Sequence, residues 1–425
     1  MYGFSRLDLV PLLGVVFGTV FGAWALFGSV STVAMGHKAV LQKQELAIAR
    51  QTASVPPPVA SDAESLLVRT LLEVRENRLD AAMKQIDTLI ALYPTFKLAH
   101  MIRGDLLAAR VRPLSTIGSA SGANQRQLLD MREEARARLL RHLEEMPLDR
   151  VPKYLVQLQP EQSHAIVVDT SKSRLYLFEN DNGLPRYVAD FYISSGKAGA
   201  EKNREGDQKT PLGVYFVTAS LPKTQISDFY GTGAFPISYP NEWDRQRGKD
   251  GSGIWLHGVP SDTYSRPPRA SNGCVVLSNP DIDRIAKKLQ IGLTPVVISD
   301  NVEWIDPRDL MAQRSEINRR FEEWRHDWES INTDKYLRHY SRNFHAPKQD
   351  YRAWEVQKRQ VNSQKSWVKV KVSNVSVFAY PGSENLVVVT FNQDYSSNNL
   401  SNRMKKRQYW KLDDNQWKIV YEGAA

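Results

Sequence analysis

The chain has 425 residues, 42% hydrophobic and 24% charged. This composition excludes wholesale disorder, and the length exceeds that of one ordinary domain. Its 56 Lys and Arg against 47 Asp and Glu leave a formal net charge of +9, which favours polyanionic neighbours such as nucleic acid, phospholipid or an acidic polymer without choosing among them. The single cysteine, Cys274, excludes an intramolecular disulfide and a cysteine-rich zinc site.

A tail over residues 1–8 precedes residues 9–36, a run without Asp, Glu, Lys, Arg or His. About 20 apolar residues cross a bilayer, so the run predicts a transmembrane anchor. It is longer than a signal-peptide core of about 7–15 residues, although Thr32-Val33-Ala34 would serve as a cleavage site. Arg6 before the run and Lys38, Lys43 and Arg50 after it leave orientation weakly signalled. Residues 37–60 read as a linker, stiffened by Pro56-Pro57-Pro58.

Residues 61–150 read as a small helical domain. Leu66, Leu67, Thr70, Leu71 and Val74 form one apolar stripe, and Ala82, Ile86, Leu89 and Ile90 another, before Tyr93-Pro94 interrupts the helix. The run from Asn77 to Ala82 followed by Leu92-Tyr93-Pro94 resembles one degenerate tetratricopeptide-like helix pair. A Ser/Gly-rich stretch over 113–124 reads as a loop. A highly charged helix over 125–146 follows, its charges expected on a solvated face.

Short strands then dominate, at 165–169, 174–178, 187–194, 213–219, 253–257 and 295–298, with one helix at 281–289. They predict a compact, mainly-β sandwich or barrel-like domain. Beyond residue 310 a helical stretch over 314–340, broken near Asn332-Thr333-Asp334, precedes three strand-rich segments, 367–379, 385–395 and 403–421. Six of the ten tryptophans lie in this region. Helices followed by an antiparallel sheet predict an α+β domain over 310–425, and the order resembles nuclear-transport-factor-2-like domains. Its basic cluster of Arg403, Lys405, Lys406 and Arg407 beside Tyr409 and Trp410 suits glycan or polyanion binding, or a strand edge guarded by lysines.

Chemistry concentrates around Cys274, in Ser271-Asn272-Gly273-Cys274, with His257 upstream in Ile254-Trp255-Leu256-His257-Gly258. A thiol attacks a carbonyl as thiolate, and a nearby imidazole takes its proton. Gly273 permits a sharp turn, so the Gly273 and Cys274 amides are expected to form an oxyanion hole. On residue types alone, a buried core cysteine and a hydrogen-bonded core histidine explain the pair equally well.

Residues 163–300 resemble the L,D-transpeptidase catalytic domain, the YkuD-type fold of bacterial cell-wall enzymes. The resemblance rests on His257-Gly258, then Ser271-Asn272-Gly273-Cys274, with agreement across the Glu205–Tyr215 and Gly231–Pro236 segments and Tyr239-Pro240-Asn241. It implies Cys274 as nucleophile, His257 as general base and then acid, and the Gly258 carbonyl orienting the imidazole. It further implies that Gly273, Asn272, Ser271, Trp255 and Tyr239 serve substrate or oxyanion, and that no metal or organic cofactor is required. The implied reaction is attack on the carbonyl of meso-diaminopimelate in a peptidoglycan tetrapeptide, releasing D-alanine and forming a thioester. Transfer to an amine is L,D-transpeptidation; transfer to water is L,D-carboxypeptidase activity.

Asn272 stands where the family pattern commonly has His, and Val276 where it commonly has Arg. Asn272 can donate a hydrogen bond but cannot shuttle a proton near neutral pH. For Arg266, Arg269 and Lys209, each a candidate replacement cation, a solvated loop charge is the expectation. The domain combination resembles cell-shape L,D-carboxypeptidases. The expected setting is the inner membrane, single-pass, with the catalytic domain in the periplasm. Peptidoglycan stem peptides and morphogenetic or wall-associated proteins are the expected partners, and nucleic acid is not. The alternatives are a related transferase modifying an extracytoplasmic protein and a non-enzymatic wall-binding scaffold.

Overall fold

The structure is a computed structural model that describes residues 63–425 apart from 112–115, 119–123, 145–146, 148 and 384. The expected tail, anchor and linker over 1–60 lie outside the described residues, as does most of the 113–124 loop. No helix among the described residues is long and apolar enough to cross a membrane. The chain divides after Leu143 into two compact units.

The first unit holds α1 (Ala63–Arg75), α2 (Leu79–Leu92), α3 (Lys97–Ala109) and α4 (Gln125–Leu143). Leu66, Leu67, Leu71, Ala82, Ile86 and Leu89 are buried, as the two stripes predict. The charged helix departs from its expectation: Glu134 and Arg138 of α4 are buried, not solvated. Arg138 donates to Glu134 at 3.0 Å and to Glu64 of α1 at 2.9 Å, so each charge enters the interior already paired.

The second unit opens with β1 (Val151–Pro152) and contains two joined parts. In the first, β2 (His164–Asp169), β3 (Arg174–Asp181), β4 (Leu184–Tyr192), β6 (Gly213–Phe216) and β12 (Pro295–Ser299) form a sheet in the order β4-β3-β2-β12-β6. β2 and β12 run parallel. A second sheet has the order β11-β9-β8-β7, from β7 (Leu221–Pro222), β8 (Gly233–Pro236), β9 (Trp255–His257) and β11 (Val275–Val276). Between them, β5 (Ser195–Gly196) pairs with β10 (Arg269–Ser271). Short helix α5 (Glu242–Gln246) precedes β9, and α6 (Asn279–Ala286) follows β11. The C-terminal part follows β13 (Trp304–Ile305), which pairs with β1. It has α7 (Pro307–Glu329), α8 (Thr333–Leu337), β14 (Tyr340–Ala346), β15 (Gln349–Asp350), α9 (Tyr351–Asn362), β16 (Val368–Ala379), β17 (Leu386–Ser397), β18 (Ser401–Asp413) and β19 (Gln416–Ala424). Its sheet has the order β15-β14-β19-β18-β17-β16.

The structure sharpens the sequence reading of this unit at three places. The helix expected over 314–340 starts at Pro307, behind the Asp306 cap, and Tyr340 belongs to a strand. The strand-rich segment over 403–421 is a hairpin, turned where Asp414 and Asn415 both take positive φ, 47° and 57°. Residues 151–162, between the two expected domains, are core: Tyr154, Leu155, Val156 and Leu158 are buried. Gln157 exchanges backbone hydrogen bonds with Val377 at 2.9 and 2.8 Å.

The run Ala165-Ile166-Val167-Val168 has no polar face because β2 is buried on both sides. Ile166 and Val168 enter the core between the two sheets of the first part, with Leu256 and Val275. Ala165 and Val167 enter a second core with Phe321, Trp324 and Phe391 of the C-terminal part. At the same junction, Arg407 of β18 makes two hydrogen bonds to Glu242 of α5, at 2.9 and 3.0 Å, and lies 4.9 Å over the Phe216 ring. Tyr409 Oη donates to Glu242 at 3.0 Å. Arg407 and Tyr409 of the expected basic cluster are therefore joining residues, not a strand-edge guard. Burial would push the Glu242 carboxyl up, but Arg407 overrides it and holds the group below its ordinary value. Arg407→Ala strands that carboxylate, so we expect a loss of about 3 kcal/mol, read as a lowered urea midpoint with unchanged slope.

Candidate active site

Cys274 immediately precedes β11, whose parallel register sets Val275 beside Leu256 and Val276 beside His257. In such a ladder, residues directly opposite share a face and alternate residues return to it. The register thus brings the Cys274 turn alongside Trp255 and diagonal to His257.

His257 is buried, 1% exposed, and its Nδ1 lies 2.6 Å from the Gly258 carbonyl. That carbonyl can only accept, so Nδ1 carries the hydrogen and Nε2 keeps its lone pair. Burial pushes the imidazole down to about 4; the Gly258 carbonyl opposes this, and the Arg266 cation adds to it. The ring is therefore neutral at pH 7. Aromatic rings fix its plane: Tyr230 meets it edge-on at 5.1 Å and Phe229 lies tilted at 6.2 Å. Tyr230 also packs on Trp255 at 4.7 Å.

Cys274 is half-buried. Its thiol donates to the Gly253 carbonyl at 3.4 Å. Burial pushes the thiol above its ordinary value, with the Trp255 amide, Arg266 and Lys202 pulling it part of the way back. The pair in this structure is a neutral imidazole beside a protonated thiol, not a preformed ion pair.

The turn before Cys274 admits only glycine at position 273. Gly273 has φ +124°, and a Cβ there would stand 2.7 Å from the Lys209 carbonyl. Thr210 braces the same turn, with Oγ1 donating to the Gly273 carbonyl at 3.0 Å and accepting from Gly196 N at 2.8 Å. Asp207 holds the adjoining loop: Lys202 donates to it at 2.8 Å, and the Asn203, Arg204 and Lys209 amides also point at it. Burial would raise the Asp207 carboxyl, but these donors keep it well below its usual range. The Glu205–Tyr215 segment, quoted above for family resemblance, is in its physical role the cradle of the cysteine turn.

Several sequence-derived site residues take other places. Ser271 is buried, donating to the Cys274 carbonyl at 2.6 Å and accepting from Gly273 N at 3.1 Å. It staples the turn, and it removes the Gly273 amide from the expected oxyanion pair. Tyr239 is buried, with its hydroxyl on the Asp250 carbonyl at 2.9 Å; it is a core residue. Asn272 is exposed at the tip of the turn, and Trp255 is half-buried against Tyr230. Val276 is buried in the ladder. Of the three candidate cations, Arg269 is exposed on β10 and Lys209 contributes its carbonyl. Arg266 is half-buried and lies 4.6 Å over Phe229.

Sequence reasoning missed Phe229, Tyr230 and Asn279. Asn279 Oδ1 accepts from Val259 N at 3.0 Å, and its Nδ2 donates to the Val259 carbonyl at 2.9 Å, locking the chain just after His257-Gly258 onto α6. A Cβ at Gly258 would stand 2.1 Å from Asn279 Oδ1. Asn279 next to Pro280 reads in sequence only as a helix start; the contact spans 20 residues and has no local signal.

Residues 163–298 match the L,D-transpeptidase catalytic domain family, YkuD, and residues 316–423 match the Cds6 C-terminal NTF2-like domain. Cys274 and His257 both fall within the first match. No curated protein matches the sequence. Among solved structures, Bd1075 of Bdellovibrio bacteriovorus is 29% identical with a TM-score of 0.58, covering 65% of this chain and 98% of that one. The helical cell shape determining protein Pgp2 of Campylobacter jejuni is 25% identical with a TM-score of 0.54, covering 63% of this chain and 95% of that one. A point mutant of Pgp2 is similar at 25% identity and a TM-score of 0.55, covering 64% of this chain and 94% of that one. Both parts of the second unit thus have a family, an L,D-transpeptidase catalytic domain of the YkuD type followed by a Cds6-type NTF2-like domain.

Proposed function

We propose that this protein cleaves the meso-diaminopimelate–D-alanine bond of peptidoglycan tetrapeptide stems through a thioester on Cys274. The observation that carries the reading is the buried, neutral His257, whose Nδ1 hydrogen is committed to Gly258 so that Nε2 is free to act as a base beside the only thiol of the chain. Rotation of Cys274 away from the Gly253 carbonyl delivers its proton to Nε2 as Sγ bonds to the substrate carbonyl carbon. The Cys274 amide and the exposed Asn272 side chain are the donors for the oxyanion. Collapse breaks the C–N bond, and the His257 proton leaves on the D-alanine amine. Water then cleaves the thioester to give a tripeptide; a stem amine in its place gives a 3-3 crosslink. The similarity to a cell shape determining protein supports a role in cell shape.

Incubating purified disaccharide-tetrapeptide with the protein and following products by mass spectrometry tests the reaction. We expect disaccharide-tripeptide, absent with Cys274→Ala; a 3-3 linked dimer would make an amine the acceptor, and unchanged tetrapeptide would overturn the reading. The protonation states have their own test, since iodoacetamide can report only on Cys274. With a raised thiol and a neutral imidazole, alkylation should climb about tenfold per pH unit from 6 to 8. A plateau across that range would instead mean a thiolate–imidazolium pair.

We further propose that residues 9–36 anchor the chain in the inner membrane with the described domains in the periplasm. The uninterrupted apolar run supports it. Alkaline phosphatase fused after residue 61 should then be active in cells, and an inactive fusion would place these domains in the cytoplasm.

A further inference from the structure

Arg266 lies on the loop between His257 and Cys274, and its backbone is held on both sides. Tyr192 Oη donates to the Arg266 carbonyl at 2.9 Å, and the Pro268 carbonyl accepts from Ser195 N at 2.8 Å. Pro267 and Pro268 stiffen the chain immediately after it. The guanidinium lies over Phe229 in a cation–π contact at 4.6 Å, with one long hydrogen bond from Nη2 to the Phe229 carbonyl at 3.4 Å. Phe229 in turn packs against the His257 imidazole. The cation is thus one ring away from the base, on a loop that cannot easily withdraw it.

Its charge has no counter-ion among the described residues. No carboxylate there forms an ion pair with Arg266, although the buried cations Lys202, Arg138 and Lys406 all have one. Burial lowers its pKa, and the group that offsets this is Cys274. A guanidinium keeps its charge in any case, with a planar fork that matches a carboxylate. A half-buried arginine without a carboxylate partner among the described residues, close to a nucleophile, is matched in charge by an anionic substrate group.

We propose that Arg266 binds the free carboxylate of the residue that leaves, and so restricts the site to stems ending one residue beyond the bond that is cut. This rests on the reading above, in which D-alanine leaves. That carboxylate is two bonds from the departing nitrogen, so a group held beside His257 serves both the carboxylate and the amine that His257 protonates. A stem extended or amidated at this point presents no charge there.

The test compares disaccharide-tetrapeptide acid with its C-terminal amide, using kcat/KM for cleavage. The acid should be favoured about 10- to 100-fold, the range of one charge-assisted hydrogen-bonded contact. In Arg266→Gln the acid-to-amide ratio should fall toward one, and Arg266→Lys should restore it only in part. The ratio is insensitive to any effect of Arg266 on the thiol, which changes both substrates alike. Equal cleavage of acid and amide by the unaltered protein would overturn the proposal while leaving the reaction standing, as would an undiminished ratio in Arg266→Gln. Should neither substrate be cleaved, the reaction fails, and calorimetry with the Cys274→Ala protein still decides on Arg266. Tighter binding of acid than amide, lost in Cys274→Ala/Arg266→Gln, supports it; equal binding overturns it.

Discussion

The burial of β2 on both faces is the constraint on which the second unit depends. A strand reading Ala-Ile-Val-Val has nowhere to meet water, so each face of its sheet needs a partner. The smaller sheet covers one face, and it is the sheet that carries His257 on β9 and sets Cys274 at the head of β11. The C-terminal domain covers the other through Phe321, Trp324 and Phe391. The accessory domain is accordingly part of what holds the catalytic sheet in shape. Covering that face by hydrophobic contact alone would leave its orientation loose. The Glu242–Arg407–Tyr409 cluster adds directional contacts that specify it.

The same unit shows how the Cys274–His257 pair is held by backbone groups and burial, with no carboxylate paired to the imidazole among the described residues. Burial keeps His257 neutral, and a backbone carbonyl sets its tautomer. Gly258, Asn279 and α6 set the position of that carbonyl. On the other side, Gly273 turns the chain where no side chain fits, Ser271 closes the turn, and Thr210 ties it to the preceding loop. Each of these residues acts through a neighbour on the position of one sulfur or one ring nitrogen. A displaced turn would therefore change the distance between thiol and base before it changed the fold.

Much of this was legible in the sequence. The apolar runs located β2, β3 and β12 within a few residues, because burial leaves a direct compositional mark. Glycine at 273 announced a turn, since few other residues tolerate positive φ. The order of helices and strands after residue 307 gave the C-terminal fold its class. Residues 151–162 and α9 were not legible. Gln157 meets Val377 from the far side of the catalytic sequence, and α9 presents Tyr351 and Trp354 inward among exposed polar neighbours. Neither leaves a periodic signal strong enough to read alone.

The sequence by itself determined which residue types were present for chemistry: one thiol, one imidazole behind it, and a glycine turn between. It could not say which of their polar neighbours faced substrate and which held the turn. Ser271 and Tyr239 are chemically as suited to substrate as Asn272, but the folded loops turn their hydroxyls onto the Cys274 and Asp250 carbonyls, 3 and 11 positions along the chain. Arg266 reads as a loop charge until Phe229, 37 positions earlier, comes beneath it. For Ser271 and Tyr239 the path of the folded loop decides; for Arg266 the deciding contact joins remote segments and exists only once those loops have packed, since chain proximity does not supply it.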